Sequence, residues 1–206
     1  MTTFEILDGD FTGMGREWPR KYPWIPGEVV TSETFTRAVH TGYLTDAKQG
    51  GGRWPYLSVV GASVEGGKLR APGETSIAFE FLPFDCKIEV GIEHRPATSL
   101  AFRMWANYLR SKYRLDYLVR QTDSRITQSI DGVTTPRATG LEPVNDGDNI
   151  ELTFQGNKLT VHNGGVFVGE GTATPSYPFD RRVFEIFTGG VAGDALIISS
   201  IKVTAV

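Results

Sequence analysis

A chain of 206 residues, 40% hydrophobic and 22% charged, can bury a core of single-domain size, which excludes a disordered segment as its general nature. Its 21 basic residues stand against 24 acidic ones, and the net charge of −3 offers no general attraction to nucleic acid or to an anionic membrane. A single cysteine, Cys86, excludes a disulfide framework within the chain.

The first residues, MTTFEILDGD, show no basic stretch followed by a long apolar one. No secretory leader is expected, and no run has the apolar length of a membrane span. Folding in a reducing cytosol is the expectation that follows.

Residues 8–56 differ from the rest. Glycine, proline and aromatic residues dominate there, and alternation is poor until EVVTSETFTRAV. The stretch GREWPRKYPWIPGE carries Trp18, Tyr22 and Trp24 among Pro19, Pro23 and Pro26. Prolines at this density forbid a helix and interrupt a sheet ladder. The segment closes with KQGGGRWPY, which adds Trp54 and Tyr56. We read it as an extended arm or insertion of one domain spanning residues 1–206. Large rings rarely stay wet without a partner, so these five residues are expected to be anchors. They either fasten the arm to its own sheet, the favoured reading, or seat it in a partner or against a sugar. Arg16, Arg20 and Lys21 read as solvated surface and not as a phosphate site.

From about residue 57 apolar residues recur with period two, the signature of half-buried strands. Ile77, Phe79 and Phe81 alternate, as do Ile88, Val90 and Ile92. Cys86 lies between these runs and reads as a small buried filler. Residues 98–121 allow two readings. Leu100, Met104 and Tyr108 have helical spacing, whereas Tyr113, Leu115, Tyr117 and Val119 alternate. The aromatic and branched content favours two strands joined around Asn107. In IELTFQ, Ile150, Leu152 and Phe154 share one face, Gly156-Asn157 supplies a tight turn, and Leu159 and Val161 continue in a return strand. GGVFVGEG, Val183–Phe187 and ALIISSIKVTAV complete the series. Strands so spaced predict an all-β, two-sheet antiparallel sandwich.

The succession EGGKLRAPGE, IAFEFLPFDCKIEVGIE, DGDNIELTFQGNKLTVHNGGVFVGEG and FEIFTGGVAGDALIISSIKVTAV resembles the concanavalin A-like lectin/glucanase superfamily, laminin G-like modules included, over about residues 57–206. The resemblance implies a jelly roll. It also implies where catalysis would reside, since glycosidases of this fold carry Glu-x-Asp-x-x-Glu on one strand. No glutamate of this chain has an aspartate two positions later. Glu89 and Glu93, four apart on a strand, stand roughly 13 Å apart, too far for the ~5 Å of a retaining pair. Glu80 and Glu89 could meet across neighbouring strands, but all three are expected to face solvent.

His40, His94 and His162 have no metal-like spacing with the cysteine and read as surface or satisfied side chains. Asn145–Asp148, NDGD, carries oxygens that could hold calcium, as in many lectins of this class. It lacks the further spaced carboxylates of a calcium loop, and a self-bonded turn is the better reading. A Gly-x-Ser-x-Gly elbow and a Walker loop are absent. No catalytic residue, metal or cofactor is therefore expected.

Single modules of this type with a short Met-Thr start are similar to phage tail and capsid-surface proteins. The expectation is a non-enzymatic virion component, a capsid decoration or minor tail protein. It would be located in the virion and assembled with other virion proteins or copies of itself through Trp18, Tyr22, Trp24, Trp54 and Tyr56. The alternative is a carbohydrate-binding module for a host-surface glycan, with Trp24, Trp54 and Tyr56 as stacking platforms. A divergent glycoside hydrolase using Glu80 or Glu89 ranks last.

Overall fold

The computed structural model describes residues 25–33, 35, 42–44, 56–60, 62–82, 85–105, 113–174, 182–189 and 193–206. Among them are sixteen strands and no helix. In chain order they are β1 (Val29–Glu33), β2 (Gly42–Leu44), β3 (Tyr56–Val60), β4 (Ser63–Glu65), β5 (Lys68–Ala71), β6 (Glu74–Leu82), β7 (Cys86–His94) and β8 (Ser99–Trp105). There follow β9 (Tyr113–Val119), β10 (Ser124–Ile130), β11 (Val133–Leu141), β12 (Asn149–Gln155), β13 (Lys158–Asn163), β14 (Val166–Thr172), β15 (Arg182–Gly189) and β16 (Leu196–Ala205).

The strands form two antiparallel sheets. The first runs β14-β13-β12-β7-β16-β5-β4. On one edge of β16, β5 pairs with residues 196–198 and β1 with residues 201–204, so two short strands share one long one. The second sheet runs β11-β10-β9-β8-β15-β6-β3-β2. The expected two-sheet sandwich is what the chain forms.

Period-two patterning explains the core. On β7, Cys86, Ile88, Val90 and Ile92 are buried and alternate with partly exposed neighbours. Leu152 and Phe154 of β12, Leu159 and Val161 of β13, and Ile201 and Val203 of β16 extend that layer. Facing it are Ile77, Leu100, Phe102, Met104, Leu115, Tyr117, Phe184 and Ile186 of the second sheet. The Phe102 ring stacks on Tyr117 at 6.1 Å and on Phe184 at 6.4 Å. Phe154 meets Phe184 edge-on at 6.4 Å and so joins the two layers. The buried Tyr117 hydroxyl donates to the Glu142 carbonyl at 3.0 Å, which avoids an unpaired polar group in the core.

The β12–β13 hairpin closes as its turn residues predict. Gln155 pairs with Lys158, and Gly156 takes a φ of 54°, the left-handed value a tight hairpin asks of its first central residue. Residues 98–121 contain the two expected strands, β8 and β9; Asn107 is outside the described residues. Within the expected arm, β1 adds to the first sheet and β2 to the second.

Candidate functional site

On β15, Phe184 and Ile186 point into the sandwich, so Val183, Glu185 and Phe187 lie on the outer face of the second sheet. Register extends that face as a row across the sheet. Ala78 of β6 pairs with Glu185, Glu185 with Arg103 of β8, Arg103 with Asp116 of β9, and Asp116 with Thr127 of β10. The outer face of an antiparallel sheet is ordinarily wet. Here Asp116 is 0% exposed, Thr127 2% and Glu185 4%. Charged groups buried outside the core are costly unless held, and therefore point to a site.

Among the described residues, three donors reach Glu185. Ser76 Oγ donates at 2.5 Å, Trp105 Nε1 at 3.0 Å and Arg103 Nη1 at 3.4 Å. The Arg103 guanidinium lies 3.9 Å above the Phe187 ring, and Arg114 lies 4.9 Å above the Trp105 ring. Arg114 Nε donates to Asp116 Oδ2 at 2.7 Å. Two arginines, two aromatic rings and two carboxylates thus interlock on three strands.

Burial pushes the Asp116 carboxyl up to about 6, against the pull of Arg114 and Arg103. Burial also lowers Arg103, and the Glu185 charge opposes that shift. Asp116 Oδ1, Arg103 Nε and Thr127 Oγ1 are buried and have no hydrogen-bond partner. They belong to adjacent positions of one row, and they comprise an acceptor, a charged donor and a hydroxyl. Buried polar atoms are rarely left unpaired, and three together suit a ligand bearing neighbouring hydroxyls. Trp105 and Arg114, one over the other on the same face, are half-buried.

The backbones at Glu185 and Asp116 are two strands apart, roughly 9–10 Å by strand spacing, whereas a retaining pair holds its carboxyl groups ~5 Å apart. Arg103 stands between them in register, where an inverting pair would need room for water. If Asp116 is set as the aspartate of Glu-x-Asp-x-x-Glu, the two glutamate positions hold Arg114 and Val119.

The suggested meeting of Glu80 and Glu89 does not occur. Glu80 is on β6 of the second sheet and Glu89 on β7 of the first. The reason is topological: the chain crosses between layers after β6, so strands adjacent in sequence are not paired. Glu89 faces outward, as expected, beside Lys202 at 3.4 Å and Lys87 at 3.7 Å. Glu93 pairs with Lys68 at 2.5 Å.

Asn145–Asp148 is a turn whose oxygens bind the chain itself. Asp148 Oδ2 accepts from the Asn145 N–H and from Asn163 Nδ2, each at 2.7 Å. His162 lies 3.7 Å from Glu151 and edge-on to Phe167, at the surface as expected. Trp18, Tyr22, Trp24 and Trp54 lie outside the described residues, as do Arg16, Arg20, Lys21 and His40. The backbone of Tyr56 pairs with Glu80, two positions along the strands from the row through Glu185. The polar row itself was missed from the sequence. Its signal is a charge set inside an apolar run, as in VFEIF and RLDYL.

No family model matches the chain, and no curated protein matches it. Solved structures do. A non-specific endo-β-1,3(4)-glucanase of family GH16, SCLam, superposes with a TM-score of 0.56 at 12% identity, covering 90% of this chain and 97% of that one. The endo-β-1,3-glucanase of Pyrococcus furiosus gives 0.55 at 13%, covering 86% and 94%. The carbohydrate recognition domain of Emp46p, in its potassium-bound form, gives 0.56 at 13%, covering 88% and 98%. The fold is therefore a concanavalin A-like jelly roll, found in enzymes and in lectins alike. These likenesses carry the fold alone; the expected virion role draws no support from them. Among the described residues, no helix is long and apolar enough to cross a membrane.

Proposed function

We propose that this chain is a carbohydrate-binding jelly-roll module that holds its ligand on the outer face of the second sheet without cleaving it. The observation that carries this reading is the unpaired trio of Asp116 Oδ1, Arg103 Nε and Thr127 Oγ1, buried in one row on the face that also carries the stacked Arg114 and Trp105. A carboxylate and a guanidinium side by side are suited to a pair of sugar hydroxyls, and an aromatic ring to a sugar's apolar face. Glycan recognition is named in the Emp46p likeness, and glucan cleavage in the glucanase likenesses. The carboxylate spacing and the intervening Arg103 favour the first for this chain.

The test is a glycan array that includes plant, algal and bacterial surface polysaccharides, probed with the parent protein and with Thr127→Val and Trp105→Ala. A virion attachment role would place the ligand among the bacterial glycans. Binding by the parent that both variants lose is the expected result. Absence of any glycan bound above background, or binding unchanged in both variants, sinks the reading. Release of reducing ends from a bound glycan would overturn its non-hydrolytic part.

A further inference from the structure

At the far end of β7 from this row, His94 lies between two aspartates. Its Nδ1 is 3.0 Å from Asp146 Oδ2 and its Nε2 is 3.0 Å from Asp194 Oδ1. The second oxygen of each carboxylate accepts a backbone N–H, from Arg95 at 2.7 Å onto Asp146 and from Ala97 at 2.5 Å onto Asp194. Ionised carboxylates only accept, so both ring nitrogens must carry protons to complete the arrangement. With both bonds made, the ring is the imidazolium form. It joins three segments: the end of β7, the loop between β11 and β12, and the turn before β16.

We propose that His94 is a protonation-operated clasp, which when charged ties both the β11–β12 loop and the β16 entry to β7, and when neutral lets one of them go. A neutral imidazole has a single N–H and can donate to one aspartate only. Asp146 is 59% exposed and Asp194 26%, so water compensates Asp146 more readily and the outer part of the β11–β12 loop, at Asp146, is the part released. The inner part of that loop stays in place through the Gly147 N–H to Ile92 carbonyl bond and the Ile92 N–H to Asp148 carbonyl bond, at 2.9 and 2.8 Å. Its residues Gly147–Asn149, with Glu93, Ser199 and Ser200, wall an open groove of about 370 Å³. The clasp therefore acts on Asp146, at the margin of that wall, while the backbone bonds hold the wall itself.

The charges facing the ring come from each neighbouring segment. Asp146 and Asp194 are in contact with it, Arg95 adjoins both carboxylates, Glu93 is engaged by Lys68, and Asp148 is engaged by Asn145 and Asn163. The bonds to Asp194 and Asp146 raise His94 from its usual 6.5, while the backbone bonds and His94 lower both aspartates from 3.8. A raised histidine contributes stability that is complete below 6.5 and is lost as pH rises through its midpoint. Depressed aspartates contribute stability that is present above 3.8 and is lost as pH falls through theirs. The clasp is closed between those limits.

The experiment is a pH titration by NMR from 4.5 to 9 on the full chain, following the His94 ring and the Arg95 and Ala97 amides. We expect a His94 midpoint above 6.5, two ring N–H signals below it, and an Arg95 amide that moves with the same midpoint more than Ala97 does. A midpoint at or below 6.5, or an Arg95 amide indifferent to it, overturns the proposal. His94→Gln gives a second reading, since the stability difference from the parent should shrink as pH rises past the His94 midpoint. A pH-independent difference counts against the clasp. If that variant does not fold, Asp194→Asn should lower the His94 midpoint, and an unchanged midpoint is fatal.

Discussion

Arg103 and Asp116 are register partners across β8 and β9, and each keeps one buried polar atom unpaired, Nε on the arginine and Oδ1 on the aspartate. Each such atom costs a fold about 1–3 kcal/mol. A sheet built only for stability would carry apolar residues at these positions. The strain is concentrated where the proposed ligand binds, as is usual for sites prepared in advance.

Asp116→Asn should change how stability depends on pH. A carboxyl raised from 3.8 to about 6 holds its proton more tightly in the folded chain. Its contribution is thus favourable at low pH and is lost as pH rises across that window, by about 3 kcal/mol at 1.36 kcal/mol per unit. The amide has no such decline. Urea unfolding of parent and variant at pH 4, 5, 6 and 7 should show the variant gaining on the parent through pH 6 and no further. A constant difference would refute the assignment.

Glu185→Ala should be far more damaging than Trp105→Phe. The first leaves the Arg103 charge 18% exposed with its nearest carboxylate removed, a loss of about 3–5 kcal/mol. The second removes only the indole N–H donor to a charged acceptor and keeps a ring beneath Arg114, a loss of about 1.5–3 kcal/mol. Denaturant midpoints at unchanged slope check the order. Equal effects would mean that the salt bridge contributes little.

Gly171→Ala should destabilise the join between the sheets. A Cβ there would come 2.7 Å from Ile126 Cγ2 and 3.0 Å from Arg137 Cβ, because β14 closes tightly over β10 and β11. Forcing a methyl into packed side chains costs about 1–3 kcal/mol. Thr172→Ala, exposed on the same strand, should stay within about 0.5 kcal/mol. A thermal melt of both variants decides it.

The layers were legible because one physical rule governs them. Alternation at Ile150, Leu152 and Phe154, with Gly156-Asn157 after them, specifies a hairpin with no knowledge of distant strands. Tyr113 to Val119 read as a strand for the same reason. The site was not legible. Alternation assigns Arg103, Asp116 and Glu185 to the face away from the core, and such residues are ordinarily wet. Their contact depends on β8 pairing with β15, some eighty residues later, and no local pattern states which distant strands become neighbours. The same ignorance made Glu80 and Glu89 look like possible partners. His94 read only as surface or satisfied, because Asp146 and Asp194 reach it from 52 and 100 residues away.

β16 lies between β7 and β5 and is the strand through which both halves of the first sheet are joined. During synthesis, β5 and β7 emerge from the ribosome long before it does. Until then the nascent molecule has two half-sheets with no seam, each presenting bare backbone to its surroundings. The two half-sheets can therefore be joined only once β16 is available, and a chain halted before that point would keep sheet edges open to its neighbours.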